Sequence, residues 1–307
     1  MMRRIVFVIA TVIALCCIDN SFAQDAKIKA LIVDGQNNHN WRGTTPVLKD
    51  ILEKSGRFTV DVATSPTKKD KEANKEEYLK NLAGFKPAFE KYDVVVSNYN
   101  SEETGDYWSE ATQKAFEKFV ADGGGFVSYH AADNSFPKWE EYNKMTGVGG
   151  WGNRGNVGSY FYWKDGKGVL DSSQGRGGSH GPQWAFLIEV RNTESPITKG
   201  FPKTFRHCKD ELYDTLRGPA KDITILATAY ADKSEHNGSD RDEPMLMVIP
   251  YGKGRVFHTT LGHDVQMLKS VSFIVTFLRG TEWAATGKVT IPIPDDMPGT
   301  DEPKFRD

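Results

Sequence analysis

Cysteine is scarce in this chain. Of three cysteines, Cys16 and Cys17 lie near the start and only Cys208 follows, so the body of the chain can form no internal disulfide. Stability must come from a core, which 307 residues at 38% hydrophobic content can build. Beyond Ile18 there is no apolar run long enough to span a bilayer, which leaves a mature chain without a transmembrane segment. Charge of either sign is not in excess. The net value of −2 argues against a general nucleic-acid binder. No P-loop and no G-x-G-x-x-G opens the first helix, so nucleotide binding has no support. Internal repeats and linkers are also missing.

The first segment, "MMRRIVFVIATVIALCCIDNSFA", pairs Arg3 and Arg4 with an apolar run from Ile5 to Ile18 and ends in Ser21-Phe22-Ala23. Such a pattern is a secretory signal, cleaved after Ala23, and predicts export to a periplasm. Bulky Leu15 and Cys16 precede the two cysteines and argue against lipid attachment. Residues 1–23 are therefore set aside, leaving an α/β domain over 24–290 and a surface tail over 291–307.

Within the domain, apolar runs alternate with amphipathic ones. "KIKALIVDG", "FTVDVATSP", "DVVVSNYN" and "GGGFVSYH" read as strands. "TTPVLKDILEKSG", with Thr45 as cap and Pro46 in the first turn, reads as a helix, as does "YWSEATQKAFEKFVADGGG". This alternation predicts a three-layer sandwich with a mostly parallel central sheet. "FLIEVRN", "ITILATAY" and a hairpin around Tyr251–Gly254 add later strands, and "VSFIVTFLRGTEWAA" a closing helix. From Gly147 to Gly181 the pattern gives way to a glycine-rich loop with aromatics, long enough to be functional.

Ligands of such sheets bind outside the carboxyl ends of the strands. Polar residues gather at four of these ends: His39 after the first strand, Asn98 and Asn100 after the third, His130 and Asp133 after the fourth, His263 and Asp264 after the last. "CKDELYDTL" adds Asp210 and Glu211, and "GGSHG" adds His180. His130 ends a strand after three glycines, as a nucleophile does at a strand-to-helix elbow. His207 and His236 read as exposed, and His258 as a strand residue. Three histidines with carboxylates suit acid–base work near neutral pH or a divalent metal ion, although no HxxxH or HxH pair marks a metal site. A Ser-His-Asp triad has no good serine: Ser128 lies inside the strand, two residues before His130.

"LIVDGQNNHNW", "GGGFVSYHAADNSF", "GVGGWGNR", "GRGGSHG", "SPITKGF", "KDELYDTL" and "YGKGRVFHTTLGHD" occur in this order. Together they resemble the ThuA-like (trehalose utilisation) family over nearly the whole mature chain. The resemblance implies a flavodoxin-like fold similar to class I glutamine amidotransferases, with His130 where those enzymes carry their cysteine, and hence no amidotransferase chemistry. It also implies a role in sugar catabolism beside oxidoreductases that make 3-keto sugars. Ser195 departs from the histidine common in relatives. The expectation is an exported hydrolase, lyase or isomerase acting on a small glycoside or 3-keto sugar. His130 would be central, flanked by His39 and His263, with Asp264 or Glu211 orienting them. Trp41, Trp151 and Trp163 would stack on sugar faces, with Asn98, Asn100 and His180 beside the substrate. A non-catalytic sugar-binding protein, or an enzyme with a divalent metal on His39, His130 and His263, would use the same pocket.

Overall fold

The computed structural model describes residues 26–150, 158–219 and 221–307, apart from the side chains of Glu235 and His236. The expected signal over residues 1–23 and Trp151 lie outside the described residues. In chain order the elements begin with β1 (Ile28–Asp34), α1 (Trp41–Lys54), β2 (Phe58–Thr64), α2 (Lys68–Ala73), α3 (Lys75–Gly84), β3 (Val94–Ser97), α4 (Glu110–Ala121), β4 (Gly125–Tyr129) and α5 (Glu140–Thr146). There follow β5 (Ser159–Lys164), β6 (Lys167–Asp171), β7 (Ser179–His180), β8 (Trp184–Val190), β9 (Thr204–Asp210), β10 (Tyr213–Asp214), β11 (Arg217–Gly218) and β12 (Thr224–Ala231). The chain closes with α6 (Lys233–His236), β13 (Arg241–Tyr251), β14 (Gly254–Thr259), α7 (Val265–Leu268) and α8 (Val271–Thr286).

The main sheet runs β2-β1-β3-β4-β14-β13-β12-β8-β9. Its first five strands are parallel and follow the order of a flavodoxin-like sheet, with β14 in fifth place. From β14 onward every pairing is antiparallel. The sheet is therefore mixed, not mostly parallel. At the β13–β14 hairpin the reason is local: the two-residue turn Gly252–Lys253 leaves no room for a helical crossover. The region expected to be one long loop also holds structure. Tyr160 to Lys164 pair with Lys167 to Asp171 as a β5–β6 hairpin that joins the main sheet.

Alternate residues of β1 enter two separate cores. Ala30 and Ile32 pack with Leu48 and Leu52 of α1 and with Phe273 and Phe277 of α8. Leu31 and Val33 pack on the other face with Tyr78 and Leu82 of α3 and Phe116 and Val120 of α4. Burial on both faces explains why these strands read as continuous apolar runs. Helix α1 opens four residues earlier than Thr45, because the Asn40 side chain accepts the Gly43 amide at 3.1 Å and caps it there. The tail runs over the surface but is tied down. The amides of Thr290 and Ile291 donate to the buried Glu282 carboxylate at 2.8 and 3.0 Å, the Arg206 amide donates to the Gly299 carbonyl at 2.7 Å, and Met297 enters the core.

Candidate functional site

The parallel strands bring their carboxyl ends to one edge, and the loops beyond β1, β4 and β14 meet there. His39, His130, Glu211 and His263 each place one ligand-capable atom in this pocket, all within 4.8 Å of one another. Glu211 is the hub. Its Oε2 lies 3.9 Å from His39 Nε2, 3.7 Å from His130 Nε2 and 3.0 Å from His263 Nδ1. His180, on the solvent side, approaches the other oxygen, Oε1, at 3.7 Å. The His39 ring meets the His130 and His263 rings edge-on, with centroids 4.8 and 4.7 Å apart.

Each side chain is aimed by the chain around it. His130 starts a 3-10 turn directly after β4 with φ of +45°, a left-handed conformation that costs a non-glycine residue about 1–2 kcal/mol. The strand-end elbow is present, with an imidazole at its tip. The Nδ1–H of His130 donates to the Thr260 carbonyl at 2.7 Å, and Nε2 accepts from the Tyr213 hydroxyl at 2.9 Å. His39 Nδ1 is 3.1 Å from both Asn37 Oδ1 and Asn38 Oδ1. Since amide oxygens only accept, Nδ1 carries the proton, and Nε2 faces the pocket as a lone pair. His263 Nδ1 is buried and makes no other contact of hydrogen-bond length than its 3.0 Å approach to Glu211 Oε2.

Asp210, one residue before Glu211, organises the floor. Its carboxylate accepts the amides of Gly262 at 2.7 Å, Glu211 at 2.8 Å and His263 at 3.2 Å. His207 Nε2 donates to it at 2.8 Å, and His207 Nδ1 lies 2.7 Å from Ser272 Oγ. Both partners are fully buried, so the expectation that His207 is exposed is corrected: it lies inside β9, facing α8. Tyr129 donates its hydroxyl to the Gly262 carbonyl. The loop that presents His263 is thus held at both polar groups of one glycine.

The electrostatics separate the histidines. Burial, reinforced by His130 and His263, pushes the His39 pKa down to about 3. Burial also lowers that of His130, against the pull of Asp210 and Glu211. For His263 burial opposes charge, but the carboxylates of Glu211, Asp210 and Asp264 outweigh it and raise its pKa. Glu211 is desolvated, yet its histidine neighbours hold its pKa below the usual glutamate value.

Several residues expected beside the substrate are placed elsewhere. Asp264 caps α7, accepting the Gln266 amide at 2.8 Å. Asn98 donates to the Thr44 and Thr45 hydroxyls at 2.9 and 3.0 Å, and Asn100 to Asn38 at 2.8 Å, so both amides brace the loop carrying His39. Trp41 lies in the first turn of α1 under the Arg42 guanidinium, 4.1 Å from its ring centre, and lines a cleft of about 260 Å³ that holds none of the histidines. Trp163, on β5, stacks with Arg191 at 5.5 Å. Asp133 is buried, 3.4 Å from His258 Nε2, and does not reach the cluster. His258 is a buried residue of β14, as its sequence suggests. Asp210 as organiser and Tyr213 as the partner of His130 carry no distinct signal in the sequence. Both sit in "KDELYDTL", where only the paired acids draw attention.

Residues 29–284 match the family model ThuA, described as trehalose utilisation. Among solved structures, a ThuA-like protein of Parabacteroides merdae is 48% identical, with 91% of this chain and 98% of its own covered and a TM-score of 0.84. A ThuA-like protein of Bacteroides uniformis, 19% identical over 89% of this chain and 96% of its own, has a TM-score of 0.52 and shares the fold alone. No curated protein matches. A model spanning most of the chain, together with the relative from P. merdae, settles its kinship: this chain belongs to the ThuA family.

Proposed function

We propose that this ThuA-family protein is an enzyme of carbohydrate breakdown that acts on a small glycoside or a 3-keto sugar. One observation carries the reading. Three histidines from three strand ends converge on a single carboxylate oxygen, Oε2 of a glutamate from the antiparallel half of the sheet. Placing so many desolvated polar groups together is costly, and such arrangements are concentrated at reaction centres. The family's description as trehalose utilisation supports a sugar as substrate class. At the strand-to-helix elbow itself the chain places His130 rather than a thiol or a hydroxyl, which favours hydrolysis or elimination next to a carbonyl over acyl transfer.

The non-catalytic alternative, a sugar-binding protein, loses ground here. Such a protein relies on free aromatic faces, and the rings of Trp41 and Trp163 are each stacked with an arginine, Arg42 and Arg191. Export is part of the same proposal and rests on the signal-like first segment; work on sugars oxidised by a neighbouring oxidoreductase rests on the family likeness. The test is incubation of the purified protein with a panel of disaccharides and their 3-keto forms, read by mass spectrometry. A cleaved or dehydrated product, formed by wild type and lost in His130→Ala, is expected. No product from any member, alongside saturable binding, would instead identify a binding protein. Full turnover by His130→Ala would remove His130 from the centre.

A further inference from the structure

We propose that His39 Nε2, His130 Nε2, His263 Nδ1 and Glu211 Oε2 are the ligands of one divalent first-row transition-metal ion. The inference rests on the reading above only in taking this pocket as the reaction centre; its evidence is the geometry of four atoms. Bonds of about 2.0–2.1 Å to a four-coordinate ion separate neighbouring ligand atoms by about 3.3 Å. Here the distances to Glu211 Oε2 are 3.0, 3.7 and 3.9 Å, and no pair of the four exceeds 4.8 Å. Side-chain shifts of under about 1 Å would close the set.

The second argument is orientation. Histidines that bind a metal usually donate the other ring N–H to a carbonyl or carboxylate, which fixes the tautomer. His130 does this to the Thr260 carbonyl and His39 to the Asn37 and Asn38 side-chain oxygens. In both, the nitrogen left over is the one that faces Glu211. The third is His263. Its Nδ1 is buried, 3.0 Å from the same carboxylate oxygen, and has no other hydrogen-bond partner. A cation between these atoms would satisfy it. Three imidazoles and one carboxylate match zinc, manganese, iron or cobalt, and do not match calcium or magnesium, which take oxygen ligands.

His180 lies outside the ligand set, on the other glutamate oxygen and toward solvent. Tyr213 competes with the ion, because its hydroxyl occupies the His130 lone pair. When bound, such an ion would supply Lewis acidity for a sugar carbonyl or hydroxyl. The chain's own residues would hold the four atoms in register, with Asp210 fixing the backbone of both Glu211 and His263.

The experiment uses full-length mature protein, prepared without chelator or affinity tag. Elemental analysis should find about one equivalent of transition metal per chain. After removal by chelator, calorimetric titration with Zn²⁺ or Mn²⁺ should restore one site. Removing a ligand, as in His39→Ala or Glu211→Ala, should weaken binding by more than about 100-fold, beyond what loss of an outer partner costs. Tyr213→Phe should tighten it by about five-fold, since one competing hydrogen bond is gone. That variant leaves every ligand in place and answers the question even if a ligand variant fails to fold. Wild-type protein that neither carries metal nor takes up Zn²⁺ or Mn²⁺ would overturn the inference, as would undiminished binding by folded His39→Ala and Glu211→Ala proteins. Because the readout needs no sugar, turnover without metal and metal without turnover separate a failure here from a failure of the proposed function.

Discussion

Gly262 sets the position of His263 more tightly than any contact His263 makes itself. Its φ is +101°, and a Cβ there would stand 2.6 Å from the Phe273 ring and 2.8 Å from the Tyr129 ring. Alanine would have to strain the backbone and push two aromatic rings apart. Gly262→Ala should therefore cost about 2–4 kcal/mol in denaturant unfolding and displace His263 from Glu211. An unfolding curve superimposable on wild type would show that the loop adapts freely. At this scale the sequence was legible in part. His39, His130 and His263 could be found because each follows an apolar run that must end at one sheet edge. The tryptophans and asparagines could not be placed in the same way. Whether an indole stacks on a ligand or on Arg42, and whether an amide meets substrate or the Thr44 hydroxyl, depends on neighbours distant in sequence. His207 is buried although its sequence reads as exposed, because Cys208 beside it is buried too and β9 there does not follow the strict in–out alternation of a half-exposed strand.

Among the elements, the junction between β9 and β10 matters most. It delivers Asp210, Glu211 and Tyr213 within four residues, and all three are buried. Asp210 sits fully desolvated against His207, with three backbone amides also pointing at it. Replacing it by alanine leaves His207 Nε2 and three backbone amides without their acceptor. The expected loss is about 3–5 kcal/mol of stability, seen as a lower denaturant midpoint. A change under about 1 kcal/mol would mean that water replaces the carboxylate at little cost. The parallel half of the sheet was legible because helix-period and strand-period segments alternate through "GGGFVSYH". The antiparallel half was not, because strand direction is carried by connection length and turn geometry, and the short β10 and β11 and the β5–β6 hairpin lie among glycines that blur any period.

For the molecule as a whole, the tail acts as a strap. Glu282 joins Arg57, just before β2, to Thr290 and to Ile291 at the start of the tail, with an Arg57 Nε to Oε1 distance of 2.9 Å. Burial opposes its charge, but these donors hold its pKa below the usual glutamate value. A depressed carboxylate contributes stability that is fully present above the unfolded pKa of about 4.3 and fades as pH falls through the folded value. Glu282→Gln should thus be less stable than wild type by about 1–3 kcal/mol near pH 7, and the gap should close below about pH 4. A gap that stays constant from pH 7 to pH 3 would assign the cost to lost shape, not lost charge.

The pocket draws on both halves of the mixed sheet: His39 and His130 from early strands, Glu211 from the antiparallel half, His263 from the strand at the seam. The bond that orients His130 already spans 130 residues. Contacts of such long range form late, after the loops between them have closed. A chain still emerging from a ribosome, or threaded unfolded through a membrane pore, holds the four groups far apart. Whatever this centre does, it can begin only once the segment carrying His263 has joined the fold, so its onset would serve as a clock for a late step of folding.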